Sequence, residues 1–77
     1  MAELAPLAGL LRRRREIIGD HRWRDADPTQ HLEALRQISE EIGVATEGLR
    51  GQIPPRLEHF LRQCSFDKAL GFIEEVS

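Results

Sequence analysis

Asp27-Pro28-Thr29-Gln30 dictates where one helix of this chain must begin. A residue preceding proline is driven out of the helical region, so no helix runs through Asp27. The Asp27 carboxylate suits the capping position, where it accepts from the free N–H groups of the first turn. Pro28 fits the first helical position, whose N–H would have no partner, and Gln30 is placed to reach back to the Asp27 N–H as in a capping box. Downstream, Leu32, Leu35, Ile38, Ile42, Ala45 and Leu49 recur at helical spacing, with His31 at the N-terminal end of the stripe. That pattern predicts one buried face on one long helix. Gly43, with Val44 as the following hydrophobic contact, offers one stop and Gly51 another. The stripe continues past Gly43, which favours the longer helix.

The rest of the chain reads as three further helices. Leu7, Leu10, Leu11, Ile17 and Ile18 predict a first helix over Leu7–His21, with Pro6 in its first turn, followed by a turn over Arg22–Asp27. Ile53-Pro54-Pro55 forces an extended approach to a third helix whose inward face is Leu57, Phe60, Leu61 and Cys64. Ser65 is a good cap for a fourth, in which Asp67 meets the helix dipole and Phe66, Ala69, Leu70, Ile73 and Val76 point inward. Connections this brief set neighbouring helices antiparallel. The expected architecture is an all-α compact bundle of four helices, two longer antiparallel helices plus a short C-terminal helical hairpin, forming one domain over residues 1–77.

Size and composition bound what such a bundle can do. A chain of 77 residues buries only about 60 to 65% of the surface its unfolded form exposes. A deep cofactor pocket would take away side chains that its one core needs, so a non-catalytic role and no cofactor are expected. The single cysteine, Cys64, rules out an internal disulfide and a thiolate-built zinc site. With no basic region ahead of the first apolar run and no long apolar stretch, a reducing, cytoplasmic setting without membrane insertion is expected.

Six arginines lie between Arg12 and Arg24 against only Glu16 and Asp20, in a chain whose net charge is −2. Clustered guanidinium groups bind phosphate and carboxylate, so Arg12, Arg13, Arg15, Arg22 and Arg24 are candidate contacts to an acidic partner. Four consecutive arginines nevertheless point in different directions around a helix. Arg14 falls amid the apolar face of the first helix, where it must snorkel or pair, and a structural salt bridge is the favoured reading. Trp23, between Arg22 and Arg24, either closes the end of the core or anchors an interface, the core reading being favoured. Phe72 falls off the inward stripe of the last helix, at the core edge or on a contact surface.

His21, His31, His59 and Cys64 lack metal-ligand spacing, so no metal site is expected. Cys64, on an apolar stripe, should be a buried and inert hydrophobe. Glu40-Glu41 and Glu74-Glu75 are sequence neighbours that diverge around their helices, unlike an acid/base dyad.

The stretch Phe60–Glu75, with an aromatic before Asp67-Lys68-Ala69-Leu70 and then Phe72-Ile73, resembles the inner hairpin of a tetratricopeptide repeat. It covers about a fifth of the chain, lacks the tryptophan and leucine-glycine positions of that repeat's first helix, and has no second copy. The resemblance implies helical-hairpin packing more than peptide binding, because a lone repeat cannot stack into a concave groove. The function expected from these residues is a protein-protein interaction or regulatory module, binding another protein or itself. Nucleic-acid binding through the basic first third is the alternative. The candidate surface is Arg12, Arg13, Arg15, Arg22, Trp23, Arg24 and Phe72.

Overall fold

In the computed structural model, which describes residues 3–76, the chain forms five helices and, among those residues, no strand. They are α1 (Ala5–Gly19), α2 (His21–Ala26), α3 (Pro28–Gly48), α4 (Pro55–Arg62) and α5 (Phe66–Val76). Met1, Ala2 and Ser77 lie outside the described residues, and with them the two ends of the domain expected over 1–77. The four expected helices are α1, α3, α4 and α5, so the all-α bundle stands. The segment expected as a turn after His21 is instead the six-residue α2.

Two aspartates account for that extra helix. The Asp20 N–H closes α1 on the Ile17 carbonyl at 3.2 Å, while its carboxylate accepts the Trp23 N–H at 3.0 Å and so starts α2. Asp27 repeats the device: its N–H donates to the Trp23 carbonyl at 2.8 Å, and its carboxylate accepts the Gln30 N–H at 3.1 Å to start α3. Because the Asp27 N–H is already taken by α2, Gln30 is not needed to complete a reciprocal capping box. Six residues are too few for an apolar period to show, whereas the Asp20-x-x-Trp23 cap was present in the sequence.

α3 takes the longer form. It ends at Leu49, whose N–H reaches the Ala45 and Thr46 carbonyls, and Gly51 at φ +80° supplies the left-handed residue that turns the chain toward Ile53-Pro54-Pro55. At 1.5 Å per residue this helix is about 31 Å long, and it sets the long dimension of a molecule measuring 41 × 22 × 19 Å. α1 packs on both α3 and α5, α2 on α3, and α4 on α5. One core results, built on Leu7, Leu11 and Ile17 of α1, Ile38 and Ile42 of α3, Leu57 and Leu61 of α4, and Ala69, Leu70 and Ile73 of α5.

His31 is the one buried polar side chain among the described residues, 5% exposed. Its Nε2 lies 2.6 Å from the Ile17 carbonyl, and since a carbonyl only accepts, that nitrogen carries the proton. Trp23 meets the imidazole edge-on at 5.6 Å between ring centroids. α1, α2 and α3 are thus tied at one corner.

Several residues expected inside are not. Leu32 is 68% exposed and Val76 58%, because each lies on its helix beyond the arc that a neighbour covers. Ile18, at the last turn of α1, is also exposed. Cys64 is exposed as well, since it is not in α4 at all: it occupies the left-handed position just after the helix, at φ +57°. The Cys64 N–H donates to the Leu61 carbonyl at 3.1 Å and the Ser65 N–H to the Phe60 carbonyl at 2.8 Å. This is a Schellman closure with cysteine where glycine is the favoured residue.

Left-handed backbone at a non-glycine residue is strained by about 1 kcal/mol or more, so Cys64→Gly should raise stability by up to about 1 kcal/mol and Cys64→Val should lower it, read from urea midpoints. His31→Ala should lower stability by about 2 kcal/mol, through the lost bond and the vacated volume. It should also change Trp23 fluorescence; an unaltered emission spectrum would contradict the edge-on contact.

Candidate functional site

Four of the six arginines in the cationic third have a carboxylate within 4.0 Å. Arg12 lies 3.5 Å from Glu74 and Arg15 3.9 Å from Asp67, so both reach across to carboxylates of α5. Arg13 lies 3.9 Å from Glu16 and Arg24 3.8 Å from Asp25. All four pairs are substantially exposed, each worth at most about 1 kcal/mol, but together they put negative charge beside most of the arginines. Arg14 has no carboxylate within salt-bridge distance among the described residues. Its guanidinium lies 4.7 Å from the centroid of the Phe66 ring, a cation–π contact in place of the expected ion pair. α5 offers an aromatic face at that point, and the flat guanidinium covers it while its edges stay wet.

Trp23 is half-buried against the core and engaged with His31, with exposed Arg22 and Arg24 on either side. Its ring is therefore not a free stacking platform. Arg12, Arg13 and Arg15 are on α1, Arg22, Trp23 and Arg24 on α2, and Phe72 on α5, where it lines a groove to which none of the other six contributes. His31 is buried while His21, His59 and Cys64 are exposed on separate elements, and no cluster of metal-ligating side chains occurs among the described residues. No helix among those residues is long and apolar enough to cross a membrane.

The outer face of α3 is self-neutralised at its middle. Arg36 holds both Glu33 and Glu40, and the hydrogen bond from its guanidinium holds the Glu33 carboxyl below the usual carboxylate range. Beyond it Val44 stands 75% exposed beside Glu40 and Glu41.

Phe72 belongs to a different feature, a groove of about 490 Å³ between α4 and α5 lined by Arg56, Phe60, Lys68, Gly71, Phe72 and Glu75. Both phenylalanines are half-buried at the margin of the core and turn part of their rings outward. Arg56 lies 5.8 Å from the Phe60 ring centroid. Gly71, like the other glycines, has open space where a Cβ would stand. Sequence reasoning singled out Phe72 and missed its companions. The signal was a repeated spacing, Arg56-x-x-x-Phe60 on α4 and Lys68-x-x-x-Phe72 on α5, which sets a cation one turn before a phenylalanine on each wall. It becomes meaningful only when the hairpin brings the two copies together.

No protein-family model matches this chain, no curated protein matches its sequence, and no solved structure matches its fold. α4 and α5 do pack as a hairpin, as the tetratricopeptide likeness implies, but no family membership follows from it.

If the Arg14 guanidinium is held by the Phe66 ring, a double-mutant cycle of Arg14→Met and Phe66→Leu should give a coupling of about 0.5 to 1 kcal/mol. That coupling should change little with added salt. A coupling that disappeared at high salt would point to an ion pair instead.

Proposed function

We propose that this chain is a non-catalytic helical module that binds another protein, and that the α4–α5 groove is its docking face. The observation that carries the reading is the groove itself, which is lined by a half-buried phenylalanine from each of two neighbouring helices together with Arg56, Lys68 and Glu75. Protein interfaces concentrate their binding energy in such aromatic and arginine anchors, surrounded by polar rims. Its open setting between two helices suits a polypeptide segment.

Nucleic-acid binding through the arginines has less support. Phosphates would have to displace Glu16, Asp25, Asp67 and Glu74 from beside them, and the tryptophan is already engaged by His31.

Photo-crosslinking in cells tests the reading. A benzophenone amino acid in place of Phe72 should give discrete protein adducts, and the same group in place of the exposed Val44 should not. Equal adducts at both positions, or none at Phe72, would remove the groove as a docking face. Nuclease-sensitive adducts would favour the nucleic-acid reading.

A further inference from the structure

The groove's charges also say what kind of segment it takes. Arg12, Arg13, Arg15, Arg24, Arg36, Arg50 and Arg62 each have a carboxylate within 4.0 Å. Among the described residues Arg14, Arg22, Arg56 and Lys68 have none; Arg14 lies over Phe66 and Arg22 is on α2, while Arg56 and Lys68 both line this groove. Two cations against the single carboxylate of Glu75 give the groove lining a positive balance in a chain whose net charge is −2. Each stands one turn before a half-buried phenylalanine, one on α4 and one on α5, so apolar and cationic surface alternate across the cleft.

Resting on the reading of this groove as a protein-docking face, we infer that its occupant is an acidic amphipathic segment of another protein, with an apolar side chain set between carboxylates. The apolar residue lies against Phe60 and Phe72, where Gly71 leaves space, and the flanking carboxylates accept charge-assisted hydrogen bonds from Arg56 and Lys68. A basic segment is disfavoured twice, by repulsion from the two cations and by the absence of a carboxylate for it apart from Glu75. Glu75 gives the groove a polarity, since a carboxylate of the segment placed beside it would be repelled. A second copy of this chain is the rival occupant, because Glu40, Glu41 and Val44 on α3 offer an acidic and apolar surface of the same description.

Fluorescence anisotropy with three synthetic probes tests the inference on the full chain. One is a short peptide alternating glutamate with leucine and phenylalanine, one has every glutamate replaced by lysine, and one has every apolar residue replaced by serine. Only the first should bind saturably, and its binding should weaken as salt rises. Arg56→Glu with Lys68→Glu should weaken it by at least about tenfold. Gly71→Leu should abolish it while circular dichroism and the melting temperature are retained, since the new side chain enters open space and leucine favours helix over glycine.

Equal binding of the lysine peptide, or indifference to the charge reversals, would overturn the inference. Concentration-dependent dimerisation in sedimentation, lost in the double charge reversal, would seat a second copy in the groove and overturn it in a different way. Crosslinks from position 72 without binding of the acidic probe would leave the docking face standing and refute only the class of partner. Absence of both would refute the two together.

Discussion

The junction of α1 with α3 combines a shared apolar core with one buried hydrogen bond, from His31 Nε2 to the Ile17 carbonyl. Ile17 lies in the last turn of α1, where its carbonyl also accepts the Asp20 N–H that closes the helix, and His31 lies in the first turns of α3. The bond therefore joins two helix ends that the chain brings together through only the short α2. Asp20 and Asp27 make that approach possible, each ending one helix with its backbone and starting the next with its side chain. Trp23 then closes over the imidazole. From this corner the packing runs on, α1 against both α3 and α5, and α4 against α5.

α1 mediates between the two halves of the molecule, and its arginines take part in that role. α1 packs on both α3 and α5, yet Arg12, Arg13 and Arg15 stay exposed and only Arg14 is half-buried. Arg12 and Arg15 lean toward acidic side chains of α5, Arg13 toward its own helix, and Arg14 over Phe66. A charge run read in one dimension is thus offset by residues some fifty positions later in the sequence, which no local window could include.

Helix starts and the long apolar stripe were legible because both are local. The Asp27-Pro28 cap, the persistence of α3 past Gly43 and the polyproline approach to α4 needed only backbone preferences and helical period. The errors came where another element decides. Leu32 and Val76 satisfy the spacing of a buried face, yet nothing lies over them. Cys64 continues the α4 stripe on paper, but the helix has closed by then and the residue turns the corner. For the candidate site, Phe72 was visible as an off-stripe aromatic. Arg56, Phe60 and Lys68 became its partners only through the pairing of two helices.

The hairpin uses its opposite flanks for opposite purposes. On α5, Asp67 and Glu74 share the flank that faces α1 and meet Arg15 and Arg12 there, while Lys68, Gly71, Phe72 and Glu75 share the other and line the groove. On α4, Glu58 and Arg62 pair with each other on the flank near the end of α3, while Arg56 and Phe60 take the opposite one. One flank of each helix is thus occupied by charge pairs that join or border the rest of the bundle. The other carries aromatic surface and two cations that have no carboxylate within 4.0 Å among the described residues, with Glu75 in the same lining. Stability alone does not require that asymmetry, because Leu57, Leu61, Ala69, Leu70 and Ile73 already hold the hairpin to the core. It is the arrangement expected of a hairpin that the core fixes from behind and that presents its outer flanks to a partner.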